Sequence, residues 1–108
     1  MPLGQHLNQI SAFAARVDVD QYLVGITANV TSRRKSYYGI GFDYFEVLSS
    51  GHTREQAIEI ERALFEKLTT DTTLRAKYHF EKRDNPYRPS TGGKTSDTYS
   101  VYVAGFAP

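Results

Sequence analysis

The sequence predicts a small α+β domain, in which a mainly antiparallel sheet carries two or three packed helices. Three observations support this class. The 108 residues suffice for one domain, and the 40% that are hydrophobic can form a single modest core. Aromatic residues make up 13% of the chain, eight of them Tyr, which favours sheet content. Short β-rich runs alternate with helical patterns, without the regular βαβ repeat of a doubly wound fold.

The N-terminal segment carries two overlapping patterns. In the first, apolar residues recur at helical spacing: Leu3, Leu7, Ile10, Ala14 and Val17. In the second, residues 13–17 alternate in the manner of a strand. We therefore expect a helix to about residue 11, a short strand over 13–17 and a turn at Asp18-Val-Asp20.

Two strands and a short helix are expected next. Residues 21–27 are rich in β-formers and predict a strand. The side chain of Asn29 can cap a short helix over about 31–38. Residues 43–48 predict a second strand, and the small residues at 49–52 predict a loop after it.

The second half predicts a long helix, a strand and a long loop. Thr53 begins the helix of residues 53–68, and the Gln three residues later completes the spacing of a capping box. Residues 77–83 have the alternation of a strand. Residues 84–97 hold two Pro and two Gly, and we expect them to form a mobile loop.

The last predicted strand, residues 99–105, is rich in tyrosine. Alternation places Tyr99, Val101 and Val103 on one face and Tyr102 on the other. An exposed strand of this kind is a pairing surface for another chain. This gives one candidate class, a structural or oligomerising protein that uses residues 99–105 as a sheet edge.

Glu61 lies on the apolar side of the long helix. At about 100° per residue it stands about 40° from Ala57, within the stripe that Ala57, Leu64 and Leu68 form. Burying a carboxylate is costly unless it is paired, hydrogen-bonded or bound to metal. Glu61 is therefore a structural carboxylate held by an Arg or by backbone amides, or a functional carboxylate that faces a site. A third reading places it at the edge of a mis-phased helix.

Composition excludes several classes of protein and site. The chain has no Cys, so it forms no disulfide and no thiolate metal site. No apolar run is long enough to span a membrane and no secretory signal is visible, so we expect a cytoplasmic protein without a membrane partner. Gly93-Lys94-Thr95 is not a phosphate loop, because Arg88 occupies the position of the required first Gly.

The three histidines are scattered. His6, His52 and His79 include no pair at the i, i+4 spacing of a helical zinc site. Solvated histidines are the default interpretation. His52 lies beside the start of the long helix, where an imidazole could carry protons near an active site.

Basic residues gather in two places although the net charge is only +1. One is the run of residues 33–35, and the other extends from residue 75 to residue 94, while acidic residues gather at 43–71. This asymmetry suits a polyanion partner, and a solvated loop carries such charges as often. The predicted nucleic-acid-binding residues are Arg34, Lys35, Lys82, Arg83 and Arg88.

Two motifs support a family resemblance. In the first, Gly25 of the predicted strand is followed by Asn29, by Arg33 eight residues after the Gly, and by Ser36-Tyr37-Tyr38. In the second, Ala57-Ile-Glu-Ile-Glu61-Arg-Ala-Leu64 has the pattern Ala-x-x-x-Glu-x-x-Leu on a helix. With these motifs, residues 22–68 resemble the GIY-YIG nuclease superfamily, most closely the nuclease module of bacterial nucleotide-excision repair.

The chain also departs from the family pattern at its tyrosines. Leu23 stands two residues before Gly25, where the family has Tyr, and Tyr22 comes one residue early. The family's upstream Gly-Ile-Tyr segment is missing, and Phe13, which lacks a hydroxyl, is nearest to its place.

The resemblance implies a site that hydrolyses phosphodiesters. Glu61 would hold Mg²⁺, Arg33 would stabilise developing negative charge, and Tyr22 or Tyr37 would orient or deprotonate the attacking water. We therefore expect a nucleic-acid-binding domain with Mg²⁺-dependent endonuclease chemistry, and Arg33 and Glu61 approaching each other across one concave surface. The alternative is a catalytically inactive module on the same scaffold, which binds nucleic acid or protein and pairs Glu61 with Arg33. DNA or RNA as the substrate and the oligomeric state stay open.

Overall fold

The computed structural model describes residues 3–89 and 98–108. Their helices and strands, in chain order, are α1 (Leu3–Ala14), β1 (Gln21–Thr27), α2 (Val30–Gly39), β2 (Tyr44–His52), α3 (Arg54–Thr70), α4 (Thr72–Lys77), α5 (Phe80–Arg83) and β3 (Tyr99–Phe106). This confirms the predicted α+β class with a small antiparallel sheet. Of the predicted loop, residues 84–89 have no helix or strand, and the rest, which includes Gly93-Lys94-Thr95, lies outside the described residues.

The C-terminal strand is the centre of the sheet. The strand order is β1-β3-β2, and β3 pairs antiparallel with both neighbours. Tyr102 is opposite Gly25 on one side and Val47 on the other. The prediction that residues 99–105 form an exposed edge is therefore wrong, because both hydrogen-bonding edges of β3 are already occupied.

The predicted strand at 13–17 is also wrong. Helix α1 continues to Ala14, with Ile10, Phe13 and Ala14 buried on its inner side. Val17, which completed the alternation, is 95% exposed. The helix buries Ile10, Phe13 and Ala14 together, whereas Val17, which both patterns counted as apolar, lies beyond its end.

The strand predicted at 77–83 is replaced by two short helices. The carboxylate of Asp71 accepts a hydrogen bond from the Leu74 amide and so begins α4. Between α4 and α5, Tyr78 forms an isolated bridge with Tyr22. The alternating aromatic residues lie in and beside the connection between α4 and α5. A run this short does not distinguish a strand from such a connection.

The loop predicted at 49–52 is part of β2 instead. The strand runs on to His52 with two irregularities, one between Val47 and Ser49 and one between Ser49 and His52. Gly51 has a φ of 81°, a conformation that Gly adopts without a Cβ clash. The small residues that suggested a loop thus allow a bulged strand.

The helices that position the candidate site form as predicted. Asn29 caps α2 by accepting a hydrogen bond from the Ser32 amide, and Thr53 and Gln56 form the capping box of α3. The buried stripe of α3 contains Glu61 together with apolar residues. Within the described residues, no helix has both the length and the apolar character that a membrane crossing requires.

Candidate functional site

Tyr102 lies across the backbone of Gly25. The two residues are direct partners in the β1–β3 ladder, so both face the same side of the sheet. A Cβ atom at position 25 would lie 2.6 Å from Cζ of Tyr102, a distance that atoms in real structures do not adopt. The ring is 1% exposed and stacks on Phe45 with 4.7 Å between centroids. Gly25 is therefore needed to leave room for the Tyr102 ring.

Tyr37 of α2 meets the Tyr102 hydroxyl. The two hydroxyl oxygens are 2.8 Å apart, and either can be the donor. The Tyr37 ring is held by Phe42 at 4.8 Å and by Phe45 at 6.0 Å between centroids. Because aromatic contacts fix both rings, the two hydroxyls form a rigid pair.

Two charges from different helices act on this pair. Burial and the neighbouring Tyr37 hydroxyl raise the pKa of Tyr102, and the charge of Glu61 adds to that increase. The charge of Arg33 lowers the same pKa. The Tyr102 hydroxyl is thus within electrostatic reach of both Arg33 and Glu61, while the direct approach of those two side chains stays a prediction.

Glu61 is buried, as the helical pattern predicted. It is 4% exposed, and its Oε1 atom accepts a hydrogen bond of 2.8 Å from the Tyr87 hydroxyl. The Tyr87 hydroxyl also lies 3.4 Å from the carbonyl oxygen of Ile58. Burial raises the pKa of Tyr87, and the hydrogen bond to Glu61 raises it further. A neutral phenol is therefore kept as a donor to this carboxylate.

Glu61 also lines a cavity of about 340 Å³, whose wall includes Val24 of β1. Aromatic rings of Phe65, Tyr78 and Tyr87 form one part of its wall, and Lys82 and Arg88 are among its polar residues. Burial, followed by the charge of Glu61, raises the pKa of Tyr78. The cavity thus combines one buried carboxylate, neutral phenols and two cations.

The donor set limits the metal that this site could hold. Among the residues that the structure describes, no group of three His, Asp or Glu side chains could share an ion. Mg²⁺ binds through one or two carboxylates and keeps several waters. Glu61 therefore fits a hydrated Mg²⁺ ion whose other ligands are water and substrate phosphate, and it does not fit an ion held by protein alone.

The structure shows direct contacts for two of the predicted catalytic residues, Tyr37 at the Tyr102 hydroxyl and Tyr22 on the other face of β1. Tyr22 is three residues before Gly25, so its side chain is on the opposite face of β1 from the Tyr102 ring. Its hydroxyl donates to the carbonyl oxygen of Leu74 at 2.8 Å, and burial raises its pKa. Tyr37 is hydrogen-bonded to the Tyr102 hydroxyl, and the charges of Arg33 and Glu61 affect the pKa of Tyr102. Tyr22 instead packs on Tyr78, with 5.5 Å between the ring centroids.

The predicted nucleic-acid-binding residues fall into three places. Arg34 and Lys35 are exposed on α2, with the Arg34 guanidinium 5.3 Å from the centre of the Phe45 ring. Lys82 and Arg88 line the cavity of Glu61. Arg83 has its Nε atom 3.3 Å from the Asp84 carboxylate, so part of its charge is neutralised locally.

Sequence reasoning missed Tyr102 and Tyr87 as site residues. Alternation gave the face of Tyr102 on its strand, but no sequence signal indicates that this strand pairs with β1. Tyr87 belongs to the predicted loop, where its position beside Glu61 depends on tertiary packing alone. No family model, curated protein or solved structure gives a significant match to the chain.

Proposed function

We propose that this domain binds nucleic acid and hydrolyses phosphodiester bonds at the cluster of Arg33, Tyr37, Glu61 and Tyr102. One observation carries the proposal: the hydroxyl oxygens of Tyr37 and Tyr102 are 2.8 Å apart, at a place where the charges of Arg33 and Glu61 shift the pKa of Tyr102 in opposite directions. A cation, an anion and paired hydroxyls are the groups that phosphodiester hydrolysis requires.

The protein side chains have separate roles in this reaction. Arg33 offers a planar fork of donors that binds phosphate oxygens and stabilises the negative charge that develops on them. Tyr37 and Tyr102 share one hydrogen bond, so the acceptor of the pair has its own proton free to orient a water molecule. Since burial keeps Tyr102 protonated, the pair positions the water by hydrogen bonding and does not act as a phenolate base.

Glu61 would be the metal-binding residue. A bound Mg²⁺ ion would supply charge neutralisation at phosphate oxygens and assistance to the leaving oxygen. Tyr87 donates to Glu61 Oε1 and so fixes the orientation of the carboxylate.

A tyrosine beside Gly25 supports the resemblance to the GIY-YIG superfamily. The family has an upstream Gly-Ile-Tyr segment, for which Phe13 offers no hydroxyl. Here a tyrosine on the strand paired with Gly25 comes from the C-terminal end of the chain, at position 102. The missing hydroxyl is thus supplied by a residue distant in sequence and adjacent in space.

The substrate contacts follow from the placement of the cations. Lys82 and Arg88 would meet backbone phosphates at the cavity, and Arg34 and Lys35 would extend the contact along α2. Such binding weakens steeply as the salt concentration rises, because it is driven by the release of counterions from the nucleic acid.

The absence of Cys from the sequence suits an activity in the reducing cytoplasm.

The test incubates the protein with labelled single-stranded, duplex and branched DNA and RNA, in Mg²⁺, in Mn²⁺ and in chelator. We expect metal-dependent cleavage by the wild type and none by Glu61→Gln, which keeps the side-chain size and removes the charge. Glu66→Gln, an exposed carboxylate on the same helix, is the matched control and should cleave normally. If the folded wild type neither binds nor cleaves any of these nucleic acids, the proposal is refuted.

One observation favours the alternative of an inactive binding module. Glu61 is almost fully buried and hydrogen-bonded to Tyr87, as a structural carboxylate would be. In that case the wild type binds nucleic acid or a protein without metal-dependent products. Salt-dependent binding without cleavage across all these substrates would select this alternative.

A further inference from the structure

Ser49, in the last part of β2, is hydrogen-bonded to two histidines. Its Oγ atom is 2.7 Å from Nε2 of His52 and 2.8 Å from Nε2 of His6. His6 comes from α1 and is 3% exposed, while His52 ends β2 and is partly exposed. Two imidazoles, one from each of two elements, therefore meet at one hydroxyl oxygen.

The irregularities of β2 place Ser49 in this cluster. Val47 is opposite Tyr102, and Ser49 is opposite Val101, so two residues that share a face in a regular strand here face opposite sides. Tyr102 and Val101 mark those two sides. Helix α1 packs on the side of Val101, since Phe13 lies against Gly105 of that same face. The bulge thus turns the Ser49 hydroxyl toward His6.

The hydrogen-bond chemistry of this cluster is asymmetric. Ser49 has one hydroxyl proton and can accept hydrogen bonds through its lone pairs. It can donate to only one of the two imidazoles, so the other imidazole must donate to it. One histidine is therefore a proton acceptor, and the other orients the hydroxyl oxygen.

His52 is the better placed acceptor. It lines a second cavity of about 340 Å³ together with Gln56, Glu59 and Ile60, whereas His6 is enclosed by the fold. Burial and the nearby His6 lower the pKa of His52, which keeps its imidazole neutral and able to take a proton near neutral pH. Access to the cavity lets the same nitrogen pass that proton to a leaving group.

We propose that Ser49 is a nucleophile that takes an acyl group from a small ester bound at the His52 wall of this second cavity. In this proposal His52 is the base and His6 orients the Ser49 hydroxyl. A serine hydroxyl within hydrogen-bond reach of a base is the arrangement that activates serine. Here the third group, His6, holds the oxygen of the nucleophile itself. The mixed lining of Ile60, Gln56 and Glu59 suits a short acyl chain with a polar ester head. This site is separate from the phosphodiester site and does not depend on it.

The step balances within these residues. Ser49 Oγ forms a bond to the acyl carbon while its proton moves to Nε2 of His52. The ester C–O bond then breaks, and the leaving oxygen takes the proton from His52, so an alcohol departs and an acyl-serine remains. Water enters by the same route, and its oxygen forms a bond to the acyl carbon while its proton moves to Nε2 of His52. The bond between the acyl carbon and Ser49 Oγ then breaks, Oγ takes the proton from His52, and the carboxylic acid departs.

The test uses two probes on the full chain. The first probe, a fluorophosphonate, forms a stable bond to an activated serine and loses fluoride, and peptide mass spectrometry locates the adduct. The second probe, p-nitrophenyl acetate, reports acyl transfer through the p-nitrophenolate that it releases. We expect the adduct on Ser49 and a rate of phenolate release about 100-fold lower in His52→Gln. Ser49→Ala and urea-unfolded wild type should form no adduct at position 49 and release phenolate only at the uncatalysed background rate.

Ser50→Ala is the matched control. Ser50 is next in sequence. Its Oγ atom is 2.8 Å from Oγ of Ser100, so its hydrogen-bond partner is a hydroxyl, whereas the partners of Ser49 are imidazoles. This variant should react as the wild type does. Absence of an adduct on Ser49 of the folded wild type, or an equal rate in His52→Gln, would overturn the proposal. Circular dichroism establishes folding, and if Ser49→Ala does not fold, the adduct position and His52→Gln decide.

Discussion

The hydroxyl oxygens of Tyr37 and Tyr102 lie 2.8 Å apart, although the residues are 65 positions apart in the chain. Tyr37 comes from α2, immediately after β1, and Tyr102 comes from the central strand that pairs with β1. The contact therefore forms only when the C-terminal strand has entered the sheet. This makes the candidate site a product of the complete fold, with each hydroxyl dependent on the other for its position.

Replacing Gly25 by Ala should destabilise the domain by about 1–3 kcal/mol, because the new methyl group overpacks the Tyr102 ring. Tyr102 is buried and stacked on Phe45, so it cannot move away freely. The free energy of unfolding in urea measures this cost. Gly4→Ala is the matched control, since a Cβ there meets open space and a helix gains from Ala. Equal stabilities of the two variants would contradict the packing at Gly25.

The Tyr37–Tyr102 contact should appear as a coupling free energy. Tyr37→Phe, Tyr102→Phe and the double variant form a mutant cycle in which the ring packing is retained. Each single variant leaves one hydroxyl without its partner, and we expect a coupling of about 0.5–1.5 kcal/mol. Urea unfolding of the four proteins gives the value. Strictly additive effects would mean that the two hydroxyls do not interact in solution.

The sequence predicted the elements that local chemistry determines. The caps at Asn29 and Thr53 and the apolar stripe of α3 are local, and Glu61 was recognisable because it interrupts that stripe. Strand pairing is not local. Alternation assigned Tyr102 to a face of its strand, but which strand lies beside it depends on the whole chain.

The failed predictions have the same origin. Apolar alternation suggested strands at 13–17 and 77–83, and each pattern was too short to exclude a helix or a connection. The direction of the Tyr22 side chain also depends on register, since a shift of one residue on a strand reverses its face; a catalytic role for Tyr22 stays a prediction. Only the structure shows that Tyr22 donates to the Leu74 carbonyl oxygen.

Tyr87→Phe should destabilise the domain by about 1–3 kcal/mol, since it removes a hydrogen bond to a buried carboxylate and leaves the Glu61 oxygen without that donor. Tyr38→Phe removes the hydroxyl of a tyrosine that is 48% exposed and should change stability very little. Thermal unfolding compares the two variants directly. If Tyr87→Phe is as stable as Tyr38→Phe, the Tyr87 hydroxyl does not hold Glu61.

His52 should make stability depend on pH in the imidazole range. Burial and His6 lower its pKa below the ordinary value of 6.5, so the unfolded chain binds more protons as the solution is acidified. The stability that neutral His52 contributes is therefore fully present above the unfolded value and is lost as pH falls through the lower folded value. We expect the urea midpoint of the wild type to decrease when the pH is lowered from about 7.5 to about 5.5, a range in which carboxylates stay ionised. His52→Gln cannot titrate there and should show a smaller change, and an equal change in both proteins would show that His52 is not the group responsible.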